Sequence, residues 1–193
     1  MDPGSGAACG GWDSGECAGS SHCPPRCPRF VDKYGRALLV EPLDDSLTDA
    51  LDRMYREFDP AQRSLGLPPH GEEPRRLWLD ELRERGTNLV ARDGDRVIGH
   101  VAFVPVGNGT AELVVFVHQD AQGRGVGSEL CRQAVAHAAA TGLDALFLSV
   151  DCKNEPALAV YRSLGFQPTG QVGCDVEMRL PLTGPALAPS ATD

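Results

Sequence analysis

The chain reads as α/β (α+β), a mixed central sheet of six to seven strands flanked by about four helices. Three observations carry this. Residues 88–118 hold three apolar runs joined by tight turns, the pattern of an antiparallel meander. Gln122-Gly123-Arg124-Gly125-Val126-Gly127 then puts three glycines where the last of these runs gives way to a helical pattern reaching about residue 140. Another apolar run, residues 145–151, follows that helix, so strand, loop, helix and strand make a right-handed parallel unit.

Each element has a local cause. Residues 1–30 are too rich in Gly, Ser and Pro for a periodic element, and Cys23-Pro24-Pro25-Arg26-Cys27-Pro28 forbids regular helix or central strand. A short strand is expected at 37–40. A helix opened by Ser46 and Asp49 places Leu47, Leu51, Met54, Tyr55 and Phe58 on one face, and Asp59-Pro60 ends it. The proline-rich stretch 64–71 is either a loop that shapes a binding site or a surface insertion. A second helix is expected over 73–85, with Leu77, Leu79 and Leu82 available for burial. Asp93-Gly94-Asp95 turns strand 88–92 into strand 96–104, and Gly107-Asn108-Gly109 turns that into strand 111–118. After 145–151, Asn154-Glu155-Pro156 starts a short helix that stops at Gly165, and strands 166–169 and 174–180 close the sheet. The domain limits follow: a Cys/Pro/Gly-rich tail over 1–36, one folded domain over 37–181, and a disordered tail over 182–193.

Composition narrows the partners. Net charge is −9, and residues 1–36 balance four acids against four bases, so the folded region carries all of the excess. Nucleic acid is thereby disfavoured as a partner. No apolar stretch approaches a membrane span and the first thirty residues do not read as an export signal, so the expected address is the cytoplasm. Only two of the 18 basic residues are lysines, Lys33 and Lys153, a bias that a salty cytoplasm or GC-rich coding would each produce.

Glycines at a strand-to-helix junction let backbone approach an anion, and the unpaired N–H groups of the first helical turn point at it. A plain helix-entry turn would use the same residues. The wider pattern is more specific. The segment 122–127 resembles the Arg/Gln-x-x-Gly-x-Gly/Ala loop of the GNAT acyl-CoA-dependent N-acyltransferases. Asn154-Glu155-Pro156-Ala157 through Tyr161-Arg162-Ser163-Leu164-Gly165-Phe166 is similar to that family's Asn-x-x-Ala-x-x-x-Tyr-x-x-x-Gly-Phe segment. The resemblance covers residues 37–180 as a pattern and is close over the last third.

The resemblance implies a GNAT fold in which the fourth and fifth strands splay apart. Val115, Phe116 and Val117 would receive the pantetheine arm of acetyl-CoA, the co-substrate. Gln122, Gly123, Arg124, Gly125, Val126, Gly127 and Ser128 would hold the pyrophosphate, the Arg124 side chain either adding a charge contact or pointing into water. Asn154 would cap its helix and contact the arm. Glu112, expected in a buried position that raises its pKa, would be the base, and Tyr161 the acid for the leaving thiolate, with a solvent-facing carboxylate and a core tyrosine as the plain alternatives. His100 is expected as a satisfied sheet histidine and His118 as a neighbour of the cofactor. The activity implied is acetyl transfer to a primary amine by direct attack, the acceptor being a small amine or a protein lysine. Residues 55–63 resemble the corresponding part of bacterial and archaeal protein lysine acetyltransferases. The alternative is a non-catalytic acyl-CoA-binding sensor or partner-docking module; either could be a homodimer.

Seven cysteines remain to be placed. Cys131, Cys152 and Cys174 lie in apolar surroundings and are expected as small packed hydrophobes, the odd count arguing against a disulfide framework. Cys9, Cys17, Cys23 and Cys27, with His22, supply enough soft ligands for a tetrahedral zinc site but lack paired Cys-x-x-Cys knuckles. The tail is thus either metal-tied or a reduced, disordered segment.

Overall fold

The computed structural model describes residues 23–62 and 67–182. In chain order the elements are β1 (Arg29–Val31), β2 (Ala37–Pro42), α1 (Thr48–Arg56), α2 (Glu72–Arg85), β3 (Thr87–Asp93), β4 (Arg96–Gly107), β5 (Thr110–Val117), α3 (Val126–Ala140), β6 (Ala145–Asp151), α4 (Glu155–Ser163), β7 (Gln167–Val172) and β8 (Asp175–Pro181). The eight strands form one sheet in the order β1-β2-β3-β4-β5-β6-β8-β7. That is one strand more than expected, and the addition is β1, which pairs with β2 through Arg29↔Leu39 and Val31↔Ala37. The sheet therefore begins inside the segment assigned to the tail, ahead of the expected start at residue 37. At the other end Leu182 is buried and its N–H donates to the Asp144 carbonyl at 2.7 Å, so the fold extends one residue past the expected limit. The remainder of the expected C-terminal tail, residues 183–193, lies outside the described residues.

All neighbouring strands run antiparallel except β5 and β6. These two pair only at Thr110↔Ala145, Ala111↔Leu146 and Glu112↔Phe147. Past Glu112, β5 stays registered on β4 as far as Val117, while β6 stays on β8 as far as Asp151. The sheet forks there, between the strands that the GNAT resemblance calls the fourth and fifth.

Strand alternation sends side chains to two cores. The larger lies under α3 and α4 and takes Leu89, Val101, Phe103 and Leu113 from the sheet with Leu130, Ala134 and Leu158 from the helices. The smaller lies under α1 and α2, where Leu51, Met54, Tyr55 and Leu79 meet Val90 and Val97, with Trp78 and Phe116 packed against them. Leu51, Met54 and Tyr55 form the buried face of α1 as expected, with Phe58 buried just after the helix and Leu47 half-buried just before it, whereas Leu77 of α2 is exposed because Leu79 and Leu82 take the buried side.

Two cysteine expectations fail. Cys152 and Cys174 form a disulfide instead of packing as separate thiols. The cause is register: they follow Asp151↔Asp175, the last pair of the β6–β8 ladder, and the Cys152 N–H still donates to the Cys174 carbonyl at 2.7 Å. The next cross-strand pair of Cβ atoms is thereby brought within bonding reach. Cys131 is buried as expected.

Candidate active site

A cleft of about 670 Å³ opens at the fork. Val115, Phe116 and Val117 line one wall; Gln122, Gly123, Gly125, Gly127 and Ser128 form its floor; Asn154, Ala157 and Tyr161 form the opposite wall. Nearly all the residues assigned to cofactor binding from sequence thus meet in one cavity.

The floor is built by glycine. Gly125 precedes α3 with φ 95°, and no side chain caps the helix, so the first-turn N–H groups are left without a capping side chain. Gly123, with φ 70°, has nothing within 4 Å of where a Cβ would stand. Only glycine adopts such angles cheaply, and the same lack of side chains leaves room for an anion to reach the backbone. The two assigned loop residues that do not line the cavity point inward: Val126 is buried in the larger core, and Arg124 is buried beneath the loop.

Arg124 corrects the sequence expectation. Its guanidinium faces neither a cofactor nor bulk water but donates to Asp32 at 2.5 Å and to Asp93 at 3.2 Å. Burial alone would raise the Asp32 pKa, but donation from the Arg36 N–H, the Arg124 guanidinium and the Tyr34 N–H outweighs it and holds the carboxyl below its ordinary value. The loop is therefore tied to the turn after β1, and the Lys33 N–H adds a bond to the Arg124 carbonyl at 3.1 Å. Farther along α3, Glu129 receives both prongs of Arg26 at 2.6 and 3.0 Å, and Gln133 donates to the Cys27 carbonyl at 2.6 Å.

On the far wall, the Asn154 Oδ1 accepts from the Ala157 N–H at 3.2 Å, capping α4 while the residue also lines the cleft. Tyr161 lines the cleft beside Cys131. Burial, together with that neighbouring thiol, raises the phenol pKa, so it is protonated at neutral pH. Its ring packs on Phe166 at 5.7 Å, and its hydroxyl makes no hydrogen bond among the described residues, which leaves it free to donate into the cavity. Burial also pushes the Cys131 thiol up to about 12, so it stays un-ionised and inert.

Glu112 sits elsewhere than expected. It is exposed, at the root of the fork opposite Val104 and Phe147, and the cleft lining begins three residues further on. Alternation along β5 puts it on the face of Phe116, away from α3. The expected burial is absent because, among the described residues, the core on this face reaches β5 at Phe116, four residues further on.

His100 is satisfied, as expected. The Tyr55 hydroxyl and His100 Nδ1 lie 2.7 Å apart, and His100 Nε2 lies 3.0 Å from the Asn88 Oδ1. The Asn88 amide nitrogen donates to the Leu82 and Gly86 carbonyls, which fixes its oxygen toward the ring. His100 Nε2 must then donate and Nδ1 accept, the neutral tautomer, and burial lowers the pKa to about 3. His118 is buried and does not border the cleft; its Nδ1 accepts from the Asp120 N–H at 3.2 Å in the turn after β5.

Among the lining residues that sequence reasoning did not assign to the cavity are Lys33, Lys153 and the aromatic Phe58. The lysine signal was present in their rarity. The zinc expectation gains no support. Cys9 and Cys17 lie outside the described residues, and Cys23 and Cys27 are exposed. Among the described residues the one cluster of three potential ligands is Asp151, Cys152 and Cys174, two of which are consumed by the disulfide. Among them, too, no helix is long and apolar enough to cross a membrane.

Comparison with known proteins agrees with this geometry. The sequence profile of the Acetyltransferase (GNAT) family matches residues 49–166. A mycothiol acetyltransferase of Streptomyces avermitilis is 31% identical over 140 residues, 72% of this chain and 44% of that protein. The L-methionine sulfoximine/L-methionine sulfone acetyltransferase of Pseudomonas aeruginosa is 30% identical over 105 residues, 51% of this chain and 61% of that protein. The chain spans less than two thirds of the length of either relative. Among solved structures, the GNAT domain of S. lividans PAT superposes with a TM-score of 0.68 at 20% identity, covering 79% of this chain and 95% of that one. The yncA acetyltransferase of Salmonella typhimurium, solved with acetyl-CoA, gives 0.63 at 22% identity over 80% and 99%. With the forked sheet, the glycine loop and both sequence motifs in place, the chain belongs to the Acetyltransferase (GNAT) family.

Proposed function

We propose that the chain is an N-acetyltransferase that moves an acetyl group from acetyl-CoA to a primary amine by direct attack in a ternary complex. The observation that carries the reading is the continuity of one cleft, from the uncapped start of α3, along the free edge of β5, to the phenol of Tyr161. Pyrophosphate would sit on the backbone of residues 122–128, and the pantetheine arm would add to β5 at Val115–Val117 as an extra strand. The amine nitrogen attacks the thioester carbonyl carbon; the C–N bond forms and the C–S bond breaks. The proton lost by the amine passes to Glu112, through water because that carboxylate stands outside the cleft, and Tyr161 donates its proton to the departing thiolate.

The test is thiol release from acetyl-CoA against a panel of amines. L-methionine sulfoximine and L-methionine sulfone lead the panel, named for one relative, followed by amino acids, polyamines and protein lysines. Tyr161→Phe is expected to lower kcat about a hundredfold with acetyl-CoA affinity kept, and Glu112→Gln to lower it at least tenfold. Normal turnover by both variants would refute these roles. A second reading, a non-catalytic acyl-CoA-binding module, draws on the position of Glu112 outside the cleft. Calorimetric binding of CoA with no amine acetylated would favour it.

A further inference from the structure

The chain has two lysines among its 193 residues, and both line the same cleft. Lys33 stands on the bank formed by the turn after β1, with its Cγ 4.0 Å from where a Cβ on Gly125 would be. Lys153 stands on the other bank, next to Asn154 at the start of α4. Both are exposed. Neither forms an ion pair among the described residues, whereas Arg26, Arg36, Arg75, Arg92, Arg96 and Arg124 are all bridged to carboxylates. The cleft lining contains one acid, Asp151, whose Oδ1 already accepts from the Lys153 N–H at 2.8 Å.

Both lysines sit on braced turns. The Asp32 carboxylate accepts from the Tyr34 and Arg36 N–H groups, each at 2.9 Å, and from Arg124, and the Lys33 N–H is held by the Arg124 carbonyl. The Lys153 turn is closed by Asp151 on one side and by the Cys152–Cys174 disulfide on the other. Each ammonium is thus carried on a fixed backbone while its own side chain is left unengaged.

We infer that Lys33 and Lys153 form a two-sided cationic clamp for the phosphates at the nucleotide end of the donor, and that they select a donor carrying the 3′-phosphate of CoA. The inference rests on the acetyl-CoA reading above. Its warrant is charge. A protein of net charge −9 repels a tri- to tetra-anionic donor, and the start of α3 offers only about half a positive charge to offset this. Two unpaired ammonium groups at the mouth of the cleft supply the rest. Lysine suits the task, since it acts as a compact point charge, while the chain uses the arginine fork to bind carboxylates.

Calorimetry of the full chain with CoA and with 3′-dephospho-CoA, at low and at moderate salt, tests this. The wild type is expected to prefer CoA about tenfold at low salt, with the preference shrinking as salt rises. Lys33→Gln/Lys153→Gln should weaken CoA binding about tenfold, close the gap between the two ligands and flatten the salt dependence. Its melting temperature should not change, because neither lysine side chain forms a hydrogen bond or ion pair among the described residues. Equal binding of both ligands by the wild type, or an unchanged preference in the double variant, overturns the clamp and leaves the donor reading intact. Failure of the wild type to bind either ligand overturns both.

Discussion

Mild acid should weaken this protein through one buried histidine. His100 titrates at about 3 in the fold, against an ordinary value of 6.5, because burial excludes the charged imidazole. Between those values the unfolded chain binds a proton that the folded chain refuses. Stability is therefore complete above about pH 6.5 and falls as the pH drops toward 3. The full difference is worth roughly 5 kcal/mol, and about 2 kcal/mol is lost by pH 5. A domain of this size has about 5–15 kcal/mol in total, so the change is large enough to measure. The assay is urea unfolding between pH 7.5 and 5, read by tryptophan fluorescence, since Trp78 packs edge-on against Tyr55 at 5.3 Å. The comparison is His100→Gln, whose amide can accept from Tyr55 and donate to Asn88 but cannot titrate. The variant should start less stable and lose about 2 kcal/mol less than the wild type over that range. Parallel pH profiles for the two proteins would refute the reasoning and place the acid sensitivity in other groups.

Two further outcomes follow from pairings distant in sequence. Arg124→Leu leaves the Asp32 side chain, 0% exposed, without its cation. Removing one partner of a buried pair costs about 3–5 kcal/mol; the lower end applies here, since two backbone N–H groups still bond the carboxylate and the arginine borders a surface cleft. Denaturant titration should show this loss, and Asp32→Asn/Arg124→Leu should recover part of it; a loss under about 1 kcal/mol would mean the pair is not desolvated. Cys152→Ser/Cys174→Ser opens a link across 22 residues, worth about 3 kcal/mol of chain entropy, so it should lower the thermal midpoint by several degrees. An unchanged midpoint would mean the bond adds nothing to a ladder already held by the backbone.

What was legible in the sequence was what depends on near neighbours. The glycine loop, the cap at Asn154, the meander and the 145–151 strand are all written in periodicity and turn chemistry, and they sit where expected. What was hidden depends on distant pairing. The partner of Arg124 is 92 residues earlier, in a segment whose composition reads as a tail. Nothing local marks Arg29–Val31 as a strand; it exists because β2 offers it an edge and because α3 holds the segment through Glu129 and Gln133. The disulfide follows from the β6–β8 register, which the sequence does not number. Glu112 was placed in the right strand but credited with burial, whereas the core on that face reaches β5 at Phe116.

The two cores differ in a way that bears on function. The larger one, under α3 and α4, backs the glycine loop and the wall that carries Tyr161. The smaller one holds α1 against the sheet with few aliphatic residues, and a buried polar chain from Tyr55 through His100 to Asn88 runs through it. Phe116 joins the halves: it lines the cleft, yet its ring lies 5.6 Å from those of both Tyr55 and Trp78 and 6.1 Å from that of Phe58. The proton that His100 refuses thus acts on the thinner core and not on the glycine-loop floor of the cleft. A polar chain of this kind is costly when incomplete, and each of its groups has one partner arrangement that satisfies it. It fixes where Tyr55 sits, Tyr55 fixes Phe116, and Phe116 forms the wall of the cleft at the fork. In the reading proposed above, the wall that receives the pantetheine arm is therefore set by hydrogen-bond geometry at Phe116, whereas the floor beneath the pyrophosphate is set by backbone and charge.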